Sequence, residues 1–490
     1  MLRDPTARGL VSAGAVVGAI ALAGCGAASP APRVDALCLE NVALGEMTDH
    51  SAVLWAREPA RAYLHAHPVG GGRDAVAPLL ARFDHAARVR LRELEHAREV
   101  VVWASDGADA SEPPPACAPR ALRVAPPPHE SAPVRFAFGG DVGGQNVCRD
   151  ATTGFPTLAA MNARPTDFRV LLGDMIYADD TCTAEGALGN AQIPIEAPPL
   201  PSLEAYRAHW RYAEDDPGYR AMRWGAYAVW DDHEIVNDAG PHHDHVRRGR
   251  GRDVPLLPLG RRGLLEHDAL DVGPLDESTP LHRRFRWGRH LELALLDTRS
   301  YRDDDGALDD AAEPKTMLGQ GQRDWLAELL RSSDATWIVI VSSVPIALPT
   351  GANGRRDSWA DGDTGRGFVR ELRGLFEVAR RAGRRQLVFV TTDVHFTAAF
   401  RHQPFADDPG FVVHELVTGP LAAGLFPFDR FDTTLGTERL LQHVPDDPVR
   451  TLEAARPYFT WGEVAIDGAG LLTLSARNAD DEIWSATLAP

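Results

Sequence analysis

Short apolar runs that end in polar residues recur along most of the chain, and segments with helical spacing separate them. Short apolar runs are typical of buried strands, whereas apolar positions repeated at helical spacing indicate amphipathic helices. Because strands alternate with helices beyond about residue 133, the pattern predicts an α/β core of stacked layers. The predicted strands are 133–138, 168–172, 227–230, 291–296, 337–341, 387–390 and 412–417, and the predicted helices are 203–212, 322–330 and 368–382.

The pattern differs at the two ends of this core. Between about residues 37 and 123 apolar and polar residues alternate, and Pro and Gly interrupt them at short intervals, which predicts a small β-sandwich. Proline-rich segments at 112–119 and 125–128 mark its end, so we expect one domain over 37–129 and a second over 130–490. The tail predicts three closing antiparallel strands, at 463–466, 470–475 and 483–488.

The first 24 residues have the features of an export signal. Arginines precede a small-residue apolar stretch over 9–21, which is too short to span a bilayer. The sequence LAGC that ends at Cys25 resembles a bacterial lipobox, which implies cleavage after residue 24, lipidation of Cys25 and a tether over 25–36. We therefore expect an exported protein of the bacterial cell envelope that touches the membrane only through its anchor. A plain signal peptide ending near Ala28 is the alternative.

Composition and cysteine content narrow the class of protein. With 44% hydrophobic and 24% charged residues the chain is typical of globular proteins, and its net charge of -18 argues against a nucleic-acid scaffold. Four cysteines remain after Cys25, and they allow three disulfide pairings. Cys148 with Cys182 would join two loops near the candidate site, and Cys38 with Cys117 would close the first domain, but the sequence leaves the pairing open.

Acidic residues and histidines follow four of the predicted strands. A single acidic strand end, such as Asp174 with Tyr177 three residues later, is explained equally well by a helix N-cap with a packed tyrosine. Four such ends would bring carboxylates together at one sheet edge, where like charges ~4 Å apart repel by about 4 kcal/mol. Bound cations would remove this repulsion, so the pattern predicts a metal site. Its candidate residues are Asp141, Asp174, Tyr177, Asp231, Asp232, His233, Glu234, Asp393 and His395.

The segment 239–267 predicts a loop. It contains His242, His243 and His245 beside several arginines, which would suit a metal or an anion. A solvated surface loop explains the same residues more simply, and we leave them out of the candidate site.

Six segments resemble the PhoD family of alkaline phosphatases and phosphodiesterases: GGDVGGQ, LLGDMIYADD, WDDHEIVND, LLDTRSYR, MLGQGQRDWLAELL and TTDVHF. The segment GEMTDHSAVLWAR is similar to that family's N-terminal β domain. The resemblance implies the calcineurin-like metallophosphoesterase fold, in which helices flank a β-sandwich core. It also implies iron(III) and calcium as cofactors, a phosphate mono- or diester as substrate and the hydrolysis of that ester.

Matching positions suggest a role for each residue. Asp174 would bridge the metals, Tyr177 and His395 would hold the iron, and Asp232 and Asp393 would bind calcium. Asp141 stands where the family has a cysteine ligand, which leaves the metal preference open.

Three further residues would complete the site. His233 would face the phosphoryl group or the leaving oxygen, and Asn237 would contact metal or phosphate. Arg299 would orient its loop or the phosphate, unless it pairs with an acid such as Asp297.

The mechanism that the resemblance implies is attack of a metal-bound hydroxide on phosphorus, with a proton supplied to the leaving group by His233 or water. The alternative is a catalytically silent, lipid-anchored surface protein that binds calcium or phosphate.

Overall fold

The computed structural model describes residues 36–109, 112–248, 252–272, 279–351, 355–361 and 364–490. The predicted signal peptide, Cys25 and nearly all of the tether lie outside these residues. Within them, no helix is both long enough and apolar enough to span a membrane.

Strands and helices fall close to the positions that the apolar pattern predicts. The predicted strand 227–230 is displaced towards the N-terminus, to 224–228, and the other predicted strands are confirmed to within a few residues. The strands are β1 Leu37–Cys38, β2 Val42–Gly45, β3 Ser51–Arg57, β4 Tyr63–Val69, β5 Ala75–Pro78, β6 Ala86–Arg92, β7 Glu99–Ser105, β8 Arg120–Ala121, β9 Val134–Gly139, β10 Phe168–Leu171, β11 Trp224–Ala228, β12 His245–Arg248, β13 Arg252–Pro255, β14 Arg283–Trp287, β15 Leu291–Leu295, β16 Trp337–Val341, β17 Leu387–Thr391, β18 Thr397–His402, β19 Val413–Val417, β20 Glu438–His443, β21 Trp461–Ile466, β22 Leu472–Arg477 and β23 Glu482–Leu488. The α-helices are α1 Leu158–Asn162, α2 Leu203–Glu214, α3 Pro217–Met222, α4 Leu257–His267, α5 Gly319–Ser332, α6 Val369–Arg381 and α7 Leu452–Ala455.

Two large sheets form the centre of the molecule. One has nine strands in the order β23-β22-β21-β9-β10-β11-β2-β3-β6, and the other has seven in the order β14-β15-β16-β17-β19-β18-β20. Strands β9, β10, β11 and β2 run parallel, as do β15, β16, β17 and β19. Parallel strands put their carboxyl ends at the same sheet edge, so the loops that follow them meet.

Apolar side chains from both sheets share one core, in which Phe168 of β10 stacks on Phe136 of β9 and packs against Trp287 of β14. Helices α1 to α4 cover the outer face of the nine-stranded sheet, and α5 and α6 cover that of the seven-stranded sheet. The order helices, sheet, sheet, helices confirms the α/β layered core.

The N-terminal segment is built into this core. Strands β1, β4, β5, β7 and β8 form a separate five-stranded sheet, whereas β2, β3 and β6 extend the nine-stranded sheet through parallel pairing of β2 with β11. A disulfide joins Cys38 to Cys117, and a second joins Cys148 to Cys182. The domain boundary at residue 129 stays a prediction, and hydrogen bonds between strands cross it.

The prediction of a loop over 239–267 is wrong. Strands β12 and β13 pair as a hairpin, and α4 follows over Leu257–His267. Helix α4 contains two glycines, which the sequence pattern treats as helix breakers, yet both have a packing reason. A Cβ on Gly260 would lie 2.3 Å from the carbonyl oxygen of Glu234, and one on Gly263 would lie 3.0 Å from the Cβ of Tyr206. The glycines let α4 approach the loop after β11 and helix α2 closely.

Candidate metal centre

The loops that follow strands β9, β10, β11 and β17 carry the candidate metal ligands to one place. Gly173, directly after β10, has a φ of 101°, and a Cβ there would lie 2.6 Å from the Cβ of Asp231. Glycine therefore allows the loops after β10 and β11 to touch. No helix begins at Asp174, because residues 173–182 form bends, a turn and irregular backbone, so the N-cap interpretation of this residue is wrong.

Four residues that were matched to the iron side lie together. Asp141, Asp174 and His395 offer ligand atoms within 4.8 Å of one another, and all three are buried. The hydroxyl of Tyr177 lies 2.8 Å from Nε2 of His395. Nδ1 of His395 lies 2.6 Å from the carbonyl oxygen of Gly424, which can only accept a hydrogen bond. That bond places the ring proton on Nδ1 and leaves the Nε2 lone pair directed towards the cluster.

A second group of acids lies beside the first. Asp231, Asp232 and Asp393 offer carboxylate oxygens within 4.8 Å of one another, and Asp174 with Asp232 and His233 forms an overlapping group. Asp174 and Asp232 therefore lie where the two sides meet. Carboxylate oxygens are the ligands that calcium prefers.

Arg299 is fully buried among these acids. Its guanidinium donates to both oxygens of Asp357, at 2.6 and 2.9 Å, and to Asp231 at 2.5 Å. Asp232 and Asp393 lie 3.7 and 3.6 Å from its Nη2. The side chain therefore pairs with acids other than Asp297, to which Arg299 donates only its backbone N–H. This geometry suits the orientation of the acidic loops better than contact with phosphate.

His233 lies at the edge of the cluster and is 9% exposed. Its backbone N–H donates to Oδ1 of Asp174 at 3.0 Å, and its Nδ1 lies 2.6 Å from Oδ1 of Asp179. The ring packs on that of Tyr177 with centroids 4.1 Å apart. Asp179 thus orients the imidazole and leaves Nε2 as the nitrogen available to a ligand.

Asn237 does not join the cluster through its side chain, which is exposed. Its backbone N–H instead donates to Oδ2 of Asp179 at 2.8 Å. Asp179 was not singled out from the sequence, and Glu234 was listed only as a candidate metal residue. Glu234 instead accepts from the backbone N–H groups of Asp174, Met175 and Asp231 and so ties two ligand loops together. Asp238 and Asp357 form a further acidic group with Asp232; Asp238 ends the segment WDDHEIVND but was not singled out, and Asp357 follows no predicted strand.

The backbone of the ligands is strained. The φ angle lies between 51° and 80° at Asp141, Asp174, Asp393 and His395. This is the left-handed region, which residues other than glycine rarely adopt. Such conformations cost of order 1–3 kcal/mol each and persist only where the surroundings enforce them. They turn the side chains at the strand ends towards one centre.

Burial and neighbouring charge perturb the titration of these groups. Burial raises the pKa of Asp141 and of Glu234 to about 8, and burial with the charge of Asp232 raises the pKa of Asp174 well above its ordinary value. Burial lowers the pKa of His395 to about 4, so this imidazole is neutral. Burial would also lower the pKa of His233, but Asp232 and Asp179 overcome it and raise that pKa to about 10.

The donor set fits metal ions. Within the described residues, one buried carboxylate oxygen each of Asp141, Asp232 and Asp393 has no hydrogen-bond partner. Unpaired buried carboxylate oxygens are costly unless a cation neutralises them. A phenol, a neutral imidazole and two carboxylates on one side suit iron(III), whereas the acids Asp231, Asp232 and Asp393 on the other side offer the oxygens that calcium prefers.

The sequence of this chain is similar to those of known phosphatases. A sequence model of the PhoD-like phosphatase family matches residues 136–482. Alkaline phosphatase D of Bacillus subtilis (strain 168) is 28% identical over 247 residues, which cover 46% of this chain and 40% of that protein. The match thus spans less than half of the curated relative's length.

Solved structures show the same fold. A structure of PhoD aligns over 94% of this chain and 90% of its own with a TM-score of 0.65 at 18% identity. Purple acid phosphatase PPD1 from yellow lupin aligns over 92% of this chain and 74% of its own with a TM-score of 0.56 at 12% identity. This chain therefore shares the fold of these two phosphatases. Because the family model covers most of the chain, the chain belongs to the PhoD-like phosphatase family.

Asp174→Asn tests whether charge repulsion dominates the metal-free centre. Asparagine keeps the shape and the acceptor for His233 and tolerates a positive φ, but it cannot ionise, so folding no longer has to protonate this site or bury its charge. We expect the metal-free variant to be more stable than the metal-free wild type, by roughly 1 kcal/mol. Thermal unfolding with and without calcium and iron should also show a smaller metal-induced stabilisation in the variant. The exposed Asp106→Asn serves as control, and a less stable metal-free Asp174→Asn would contradict the account.

The metal-free protein should lose stability as pH rises between about 7 and about 9. The pKa values of Asp141 and Glu234 are raised to about 8, and that of His233 is raised to about 10. The folded protein therefore still binds protons in this pH range that the unfolded chain has already released. Burial lowers the pKa of Lys315 to about 8, so this one group adds stability as pH rises and partly offsets the loss. Thermal midpoints across this range should fall in chelated protein and fall less with metals bound. Equal slopes with and without metals would rule out this origin.

Proposed function

We propose that the chain is a metal-dependent hydrolase of phosphate mono- or diesters. The observation that carries the proposal is the convergence of unpaired buried carboxylate oxygens, the Tyr177 hydroxyl and the neutral His395 imidazole beside the Asp179–His233 pair. The family membership and the shared fold support the same activity.

The metals would be iron(III) and calcium. Asp141, Asp174, Tyr177 and His395 would hold the first, and Asp232 and Asp393 with Asp174 would hold the second. Aspartate at position 141 supplies a hard oxygen ligand that suits iron(III). When bound, the cations would polarise the phosphoryl oxygens and lower the pKa of a coordinated water molecule.

Side chains of the protein position the metal ligands and supply the proton for the leaving group. Arg299 spaces Asp231, Asp232, Asp357 and Asp393 by partial neutralisation, so that the acidic loops remain close. His233, held by Asp179 through Nδ1, presents Nε2 to the alcohol oxygen that leaves phosphorus. In the metal-free chain Asp232 and Asp179 raise the pKa of His233 to about 10 against burial, and Asp179 would still favour a protonated imidazole, able to donate near neutral pH, when Asp232 holds a cation. The seclusion of the other ligands from solvent strengthens these electrostatic effects.

His233→Gln tests the proton transfer. General acid catalysis matters most when the leaving alcohol is a poor leaving group, so we expect kcat for an alkyl phosphate to fall by about 10²- to 10⁴-fold. The loss for p-nitrophenyl phosphate should be much smaller, because p-nitrophenolate leaves without a proton. The exposed His129→Gln serves as control.

Metal analysis of the same variant separates proton donation from ligation. Retained metal with the selective loss supports the role of His233 as the acid. Equal losses for both esters, or loss of metal, would contradict it. A metal-loaded wild type that hydrolyses neither ester would instead favour the silent calcium- or phosphate-binding protein.

We further propose that the chain is exported and anchored in the bacterial cell envelope by a lipid on Cys25. Two disulfides among the described residues support an oxidising compartment. In a bacterial host, the wild type should partition into the detergent phase and carry acyl mass on its N-terminal peptide. Cys25→Ala should lose both properties, and an unmodified soluble wild type would exclude the anchor.

A further inference from the structure

An exposed phenylalanine covers one of the candidate iron ligands. Phe426 is 52% exposed, and its ring stacks on that of His395 with centroids 5.0 Å apart and planes 30° apart. His395 is only 3% exposed. Phe426 therefore lies between the metal centre and solvent, with much of its ring uncovered. An exposed apolar side chain is ordinary by itself, but one that stacks directly on a candidate metal ligand is within reach of a molecule bound at that centre.

The loop that carries Phe426 is fixed on both sides. Before it, Gly424 accepts from Nδ1 of His395 and donates to the side chain of Gln145 at 3.1 Å. After it, the carbonyl oxygen of Phe428 accepts from Gln442 at 3.0 Å, and Phe431 packs on Phe400. The position of the Phe426 backbone is thus set by the fold, which suits a rigid contact for a ligand.

Four rings contact one another in series. His233 packs on Tyr177, Tyr177 meets His395 edge to face, and Phe426 stacks on His395. His233 is the group proposed to face the leaving alcohol, and Phe426 is the most exposed ring of the series. A cleft of about 420 Å³ adjoins the same loop, and its lining is mostly apolar, with Val147, Leu188 and Leu425, but includes Asp446 and Asp447. Phe426 does not line this cleft, so the exposed part of its ring is open to a ligand of the metal centre.

We propose that Phe426 is a specificity-determining residue that stacks on an aromatic or other planar apolar alcohol group of the phosphate ester. This inference rests on the proposed hydrolase function and adds the class of substrate to it. The charged phosphoryl group binds among the metal ligands, and the organic group lies over the exposed part of the Phe426 ring. Offset stacking of aromatic rings adds to the gain from burying apolar surface.

Phe426→Ala should separate aromatic from polar esters. In the metal-loaded full-length protein we expect kcat/KM for p-nitrophenyl phosphate to fall by about tenfold. For glycerol 3-phosphate, which has no ring to stack, kcat/KM should stay within about twofold, and inhibition by inorganic phosphate should not change. Phe426→Tyr keeps the stacking surface and should restore the aryl preference.

Phe428→Ala is the matched control, because Phe428 lies on the same loop and is 39% exposed, and within the described chain no ring contact joins it to His395. It should leave kcat/KM for both esters unchanged. If kcat/KM of Phe426→Ala falls equally for both esters, or falls for neither, the inference is overturned and the hydrolase function stays in place. A wild type that hydrolyses no ester overturns the hydrolase function and the inference together.

Discussion

Repulsion between buried carboxylates is the constraint on which the rest of this structure depends. Asp141, Asp174, Asp231, Asp232 and Asp393 lie around one centre, and a single buried arginine, Arg299, balances only the part nearest to it. A cluster of this kind is unstable in water-free surroundings unless protons or cations neutralise it. The raised pKa values of Asp141 and Asp174 mean that protons neutralise these carboxylates in the metal-free protein. Bound cations would neutralise them in place of the protons.

The scaffold opposes this repulsion with rigid elements. Two sheets with a shared apolar core present their carboxyl ends to the same region, and Glu234 ties the loops after β10 and β11 through three backbone N–H groups. The N-terminal strands extend the nine-stranded sheet beyond β11, which buries the strand that leads to Asp231 and His233. Left-handed backbone at the ligands shows that this support exceeds the local conformational cost.

Apolar periodicity and strand-end acids were sufficient to predict the layered core and the residues that converge. They failed where tertiary contacts reverse a local rule. The segment 239–267 was predicted to be a loop, but Gly260 and Gly263 allow α4 to pack closely there, and Asp357 reaches Arg299 from a segment without periodicity. A sequence neighbour such as Asp297 was the alternative partner for Arg299, yet the partners of its side chain come from distant loops. Sequence spacing cannot reveal contacts of this kind, because they depend on how the two sheets stack.

Anomalous diffraction from crystals of the metal-loaded protein, measured on both sides of the iron absorption edge, would locate and distinguish the two ions. We expect an iron peak within coordination distance of Asp141, Asp174, Tyr177 and His395, and a second, non-iron peak between Asp174, Asp232 and Asp393. Protein that diffracts well after metal loading but shows no peak among these residues would contradict this expectation.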